Sequence, residues 1–188
     1  VDQHEKAESN GYNGTGGRSD CIIVLIMDSL NKTVKMLEIS RDTMVDVAVY
    51  DTSGEYALDM NMQITMQYSY GDGANKSCRL TKEAVSKLLY GIPIDNYFSM
   101  NIDGISAVTN AVGGVTITVP QDYSDVDSQF TQGATLKLDG TQAEKYVRKR
   151  DTTITGSNDD RMERQMQYIR ALVAQLQSSA TGVSTYQS

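Results

Sequence analysis

The run Ile22–Met27, Ile-Ile-Val-Leu-Ile-Met, is apolar at every position. A strand turns successive side chains to opposite faces, so a run without alternation predicts a strand covered on both sides. Such a strand needs helices flanking its sheet, and this restricts the chain to an α/β architecture. The "SLNKT" turn then leads into Val34, Met36, Leu37 and Ile39, a second strand expected to return as a hairpin, and "TMVDVAVY" is a third extended segment. Charges bracket this apolar block: Arg18 and Asp20 precede it, and Arg41 and Asp42 follow the second strand. Buried strands do not need charge at their tips, so these residues mark one rim as a candidate binding edge.

Helical patterns alternate with further strands. Met60, Ile64 and Tyr68 recur at helical spacing up to Gly71, and a second helix is expected with Thr81 as N-cap, Ala84, Val85, Leu88 and Leu89 on its apolar face, and Gly91 as its stop. "GISAVTNAVGG" reads as a helix and "VTITVP" as a strand, while Asp122 to Gly133 is polar and turn-rich and reads as a surface loop. A helix is expected from Asp139 to about Val147. Arg148 and Arg150 follow it, and two residues' separation puts side chains about 200° apart on a helix but on the same side of an extended segment.

On the last helix, from about Asp159 to Gln177, Met162, Met166, Ile169, Val173 and Leu176 form an apolar stripe expected to face the core. Beside it run Arg161, Arg164, Gln165 and Tyr168 at three- and four-residue steps, near the positive end of the helix dipole. These arginines either sit in water and pair with Asp159, Asp160 and Glu163, or serve an anion. Arg18, Arg41, Arg148, Arg150, Arg161 and Arg164 make up six of the 17 Lys and Arg in a chain of net charge -7. A basic set in an acidic protein points to a phosphate ligand, for which the guanidinium fork is better shaped than an ammonium.

Composition removes other classes. At pI 4.7, nonspecific attraction to nucleic acid or anionic lipid is disfavoured. The 188 residues contain no repeat and no Pro-rich linker, which predicts a single domain over 1–188 with 178–188 as a flexible tail. No apolar run of about 18 residues occurs, and "VDQHEKAESNGYNGTGG" is too polar for a signal peptide. The opening Val1-Asp2 reads as the end of a strand, so the sequence is expected to begin inside the natural fold. Cys21 and Cys78 lack CxxC spacing and the chain has one histidine, which argues against a thiolate zinc site. A Cys21–Cys78 disulfide and two separate buried thiols both suit the sequence. His4, in the polar N-terminal stretch, reads as solvated, and no nucleophile elbow accompanies it.

The motifs "GRSD", "SRDT", "YVRKR" and "RMERQ", in that order between about Val1 and Leu176, resemble the LytR-CpsA-Psr family of cell-wall glycopolymer transferases. The resemblance implies a three-layer α-β-α sandwich around a mixed central β-sheet, on the outer face of a Gram-positive cell membrane. An N-terminal transmembrane anchor lying outside this sequence is implied with it. The implied donor is a polyprenyl-pyrophosphate-linked glycopolymer, of the teichoic acid or capsule kind, and the implied acceptor is peptidoglycan. By motif, Asp2 and Asp20 correspond to the aspartates at the Mg2+ and pyrophosphate site, and Arg41 to the pyrophosphate-binding arginine. Arg18 and Asp42 carry over more weakly. Arg148 and Arg150 match the R-x-R pair, and Arg161, Arg164 and Gln165 the R-x-x-R-Q of the final helix. Asn158 stands where many members have Asp, a place that Asp159 or Asp160 would fill after a register shift.

The physical chemistry agrees with this. Departure of a pyrophosphate is helped by a divalent cation and fixed guanidinium groups, and magnesium commonly uses one or two carboxylates together with phosphate oxygens. The expected reaction is attack by an acceptor hydroxyl on the sugar carbon bearing the pyrophosphate, with Asp2 or Asp20 taking the proton. Water in place of the acceptor would make a phosphohydrolase, and binding without turnover a surface glycan- or lipid-binding protein. Met60, Met62 and Met66, read as helical, either pack the core or line a groove for the lipid tail.

Overall fold

The computed structural model describes residues 17–31, 33–148 and 157–184, with side chains described throughout those ranges except at 157–159 and 178–184. It has the expected α/β character, with strands and helices mixed along the chain. Asp2, His4 and Arg150 lie outside the described residues, as does the side chain of Asn158. The chain divides into two compact units, Val1–Asn101 and Ile102–Ser188.

In the first unit, β1 (Ile22–Asp28) and β2 (Thr33–Ile39) form the expected antiparallel hairpin, in register from Ile22 opposite Ile39 to Asp28 opposite Thr33. Its turn is held by Asp28, whose Oδ1 accepts from the backbone N–H of Leu30 and of Asn31, both at 3.0 Å. β3 (Met44–Tyr50) pairs antiparallel with β4 (Tyr56–Gln63). A 3₁₀ helix (Ile64–Tyr70) and α1 (Asn75–Leu88) follow. The 3₁₀ helix is pinned to β3 by buried Gln67, which accepts from Ala48 N–H at 2.9 Å and donates to Ala48 C=O at 3.1 Å.

Several expectations for this unit are corrected. Tyr56–Gln63 is a strand and not a helix, so Met60 and Met62 belong to β4 and only Met66 to the 3₁₀ helix. The helical spacing of Met60, Ile64 and Tyr68 was genuine but weaker than the backbone ladder that β3 provides, an instance of tertiary pairing overriding local preference. Thr81 does not cap α1; it lies inside the helix, its hydroxyl donating to Ser77 C=O at 2.9 Å. The capping side chain is Asp72, which accepts from the N–H of Ala74, Lys76 and Ser77 at 2.8, 2.9 and 3.2 Å. Burial pushes the Asp72 carboxyl up, but these backbone donors outweigh it and hold the group below its usual range.

β1 is not covered on both faces. Ile22 is buried with Ile39, Ile64, Ala84 and Val85, and Val24, Leu88 and Leu89 pack against that cluster, but Leu25, Ile26 and Met27 are exposed. The apolar surface that α1 brings reaches the Ile22 end of the hairpin, and the tip extends past it. Strand pairing among the described residues comprises the antiparallel ladders β1-β2, β3-β4 and β5-β6. Cys21 is exposed and Cys78 buried in α1, with no disulfide between them.

The second unit contains α2 (Ile102–Ala111), β5 (Val115–Thr118), β6 (Thr135–Leu138), α3 (Gly140–Arg148) and α4 (Ser157–Ser184). α4 continues to Ser184, past the Gln177 at which the apolar pattern ended it. β5 and β6 pair antiparallel, and Val115, Ile117, Leu138, Ala143, Tyr146, Tyr168 and Leu172 build the core with Tyr123 and Phe130. The segment from Asp122 to Gly133 is therefore more than surface loop, since its two aromatic residues are buried: Phe130 and Tyr123 each stand edge-on to the Tyr146 ring, centroids at 5.5 and 6.1 Å. α3 begins as the sequence indicated: Asp139 Oδ1 accepts from Gln142 N–H at 2.8 Å, and Gln142 Oε1 accepts in return from Asp139 N–H at 3.3 Å. Gly140 lets α3 approach α2 closely, its N–H donating to Asn110 Oδ1 at 2.9 Å.

Candidate functional site

The candidate charged residues divide between the two units. In the first, the loop entering β1 carries Asp20 and the turn after β2 carries Arg41. Because the hairpin register puts Ile22 opposite Ile39, residues just before β1 and just after β2 emerge at the same end. Arg41 Nη1 and Asp20 Oδ1 form an ion pair, and the two side chains are only 13% and 14% exposed. Asp42 lies at the edge of this pair, its Oδ1 3.9 Å from Arg41 Nε. The backbone around Arg41 is tied down as well: its carbonyl accepts from Thr65 N–H at 3.2 Å, and the Thr43 carbonyl from Ile64 N–H at 2.8 Å. "GRSD" and "SRDT", far apart in sequence, are thus brought into contact. Arg18 is exposed.

In the second unit the final helix corrects the sequence reading. Its most buried positions are Arg161, Arg164, Met166, Tyr168 and Leu172, while Leu176 is 47% exposed and Met162, Ile169 and Val173 are half-buried. The face expected to be a polar stripe beside the core is in fact the inward one. Arg164, 2% exposed, donates from Nε to Tyr146 C=O at 3.2 Å and from Nη1 to the Tyr123 hydroxyl at 3.1 Å, with its guanidinium 4.7 Å from the centre of the Tyr123 ring. Gln165 Nε2 donates to Val147 C=O at 3.3 Å. Arg161 is 8% exposed one helical turn nearer the N-terminus of α4. Arg148, on the last turn of α3, is exposed and pairs with Glu144 at 2.9 Å. Asp160, the position offered in place of Asn158, is exposed.

Tyr146 and Tyr123 are the residues that sequence reasoning missed. Tyr146 is fully buried, and its hydroxyl donates to Gln167 Oε1, whose amide in turn donates to Thr118 C=O at 2.7 Å. Burial pushes the Tyr146 phenol far above its ordinary value; Tyr123 adds to the effect and the Arg164 charge opposes it. Its place in "YVRKR" was visible, but nothing in the polar stretch around Tyr123 signalled a buried ring.

Among the described residues no group of three or more His, Cys, Asp or Glu could hold a metal ion. Magnesium does not require one, since it keeps water ligands and is commonly bound by one or two carboxylates with substrate phosphates. Asp20 supplies a hard carboxylate of that kind beside a guanidinium, so the donor chemistry present fits. No described helix is long and apolar enough to cross a membrane.

A guanidinium held in place by a carboxylate, as Arg41 is by Asp20 in the first unit, has the chemistry that suits a phosphate-class anion. The LytR_cpsA_psr family model matches residues 1–187, and the chain belongs to that family. It is 38% identical over 180 residues to the polyisoprenyl-teichoic acid–peptidoglycan teichoic acid transferase TagV of Bacillus subtilis, covering 92% of this chain and 42% of TagV. The crystal structure of B. subtilis TagT superposes with a TM-score of 0.67 at 28% identity, over 87% of this chain and 62% of that one. A structure of TagT bound to LI-WTA gives the same TM-score and identity over 90% and 63%. The chain thus spans less than half the length of TagV.

Proposed function

We propose that the chain is the catalytic region of a glycopolymer transferase, moving a polymer of the teichoic acid class from a polyprenyl-pyrophosphate carrier to peptidoglycan. The observation that carries this reading is the Arg41–Asp20 pair, in which two motifs of the family meet at one end of a hairpin. Transferases of polyisoprenyl-linked teichoic acid among the relatives, and a ligand-bound TagT among the similar structures, support the substrate class.

Arg41 binds the pyrophosphate and neutralises charge as it leaves, and Asp20 holds the guanidinium in place for that role. By the family motifs, Arg18, Arg148, Arg150 and Arg161 are assigned to phosphate binding as well. An acceptor hydroxyl displaces the carrier, and Asp20 or Asp2 takes its proton. Asp20 and Asp2 would hold Mg2+, which when bound supplies further charge neutralisation on the phosphates. The protein works on the outer face of the cell membrane, tethered by an N-terminal anchor outside this sequence. A lipid-tail groove built on the methionines has less support, because Met60 and Met62 lie on β4 and not on a helix beside Met66.

The test is incubation with a labelled polyprenyl-pyrophosphate glycan and Mg2+, with and without peptidoglycan fragments. Transfer of label to the fragments, lost in Arg41→Ala, is the expected result. Free glycan released equally with or without acceptor would replace transfer by hydrolysis, and intact donor in every condition would replace it by binding alone.

A further inference from the structure

The motifs "YVRKR" and "RMERQ" touch, and the contact gives the second one a different task. The last carbonyls of a helix have no partner within it. In α3 two of these, Tyr146 C=O and Val147 C=O, accept from Arg164 Nε and Gln165 Nε2 of α4, at 3.2 and 3.3 Å. A cation at a helix C-terminus is also favoured by the dipole. The Arg164 guanidinium is fixed from its other side by the Tyr123 hydroxyl and ring. At 2% exposure, and with Nε and Nη1 both donated to protein acceptors, it has little left to offer a ligand arriving from solvent.

We infer that Arg164 is a positioning residue and not a pyrophosphate ligand: with Tyr123 behind it, it clamps the C-terminal end of α3 and so sets where Arg148 is presented. Within "RMERQ" the two arginines then have separate tasks. Arg161 meets the anion, and Arg164 fixes the end of the neighbouring helix. The proposal rests on the reading that Arg148 serves the pyrophosphate.

The experiment measures the affinity of the whole chain for geranylgeranyl pyrophosphate with Mg2+, in wild type, Arg164→Lys, Arg148→Ala and the double variant. Lysine keeps the charge but cannot reach both Tyr146 C=O and the Tyr123 hydroxyl in one plane. The expected result is a loss of about tenfold for Arg164→Lys in the wild-type background, the size typical of one charge-assisted hydrogen bond, and of less than about twofold once Arg148 is Ala. Equal losses in both backgrounds would make Arg164 a direct ligand and overturn the inference. Unchanged affinity with a lowered melting temperature would overturn it too, leaving a purely structural residue.

Amide exchange provides the second readout. Arg164→Lys is expected to speed exchange at Tyr146, Val147 and Arg148, whereas Arg170→Lys, on the exposed face of α4, does not. Unaltered exchange there refutes the clamp. A wild type that binds no pyrophosphate sinks the functional reading instead, and the clamp is then judged by exchange alone.

Discussion

Replacing either member of the Arg41–Asp20 pair tests whether these charges are held at an open rim or inside the fold. Sequence alone suggested a rim, from which Arg41→Ala and Asp20→Ala would abolish most activity and leave folding largely intact. Side-chain exposures of 13% and 14% place the pair mostly out of water. Two unit charges about 4 Å apart attract by roughly 4 kcal/mol at an effective dielectric near 20, and removing one partner of a buried pair costs about 3–5 kcal/mol because the other charge is left stranded. Residual solvent contact puts the expectation at the low end: about 3 kcal/mol for Arg41→Met and about 2 for Asp20→Asn. The double variant should cost less than the sum, by a coupling of about 2 kcal/mol. Urea unfolding followed by far-UV circular dichroism measures all four proteins. The chain has no tryptophan, so indole fluorescence is not an option. For a chain of this size, 3 kcal/mol corresponds to a fall in Tm of about 6–12 °C. A coupling below about 0.5 kcal/mol would refute the reasoning, showing a pair screened by water whose function owes nothing to mutual positioning.

Two further perturbations probe the second unit. Gly140→Ala should destabilise it by more than about 2 kcal/mol in the same urea assay, since a Cβ there would stand 2.5 Å from the Ser106 carbonyl oxygen and 2.6 Å from Asn110 Nδ2. An unchanged midpoint would mean that α2 and α3 are free to separate. Alkaline pH should also destabilise the protein through Tyr146. In the unfolded chain its phenol ionises near pH 10, whereas in the fold burial keeps it protonated to higher pH. Its contribution is therefore complete below pH 10 and is lost as pH rises beyond it, by about 1.4 kcal/mol per pH unit for one such group. Tyr146→Phe should flatten the stability profile above pH 10, and an identical slope in the two proteins would contradict the assignment.

Much of the local structure was legible because it depends on neighbouring residues. Asp139 and Gln142 close a capping box within one turn, and the β1–β2 hairpin follows from two apolar runs across a short polar turn. The Arg-Asp motifs could be read as binding chemistry for the same reason, their residue types being unusual at strand ends. What could not be read was decided between distant segments. β4 became a strand because β3 was there to pair with it, against the helical spacing of Met60 and Ile64. Asp72 took the cap expected of Thr81 because α1 begins earlier than its apolar stripe.

The final helix draws the boundary most clearly. Its sequence determined that a long amphipathic helix would form, and that Arg161, Arg164 and Tyr168 would share a face. Which face turned inward depended on partners supplied by other segments: carbonyls at the end of α3 and the hydroxyl of Tyr123, which together make a buried guanidinium tolerable. A buried charge is stable only where donors and acceptors converge on it in three dimensions, and that convergence is a property of the tertiary structure.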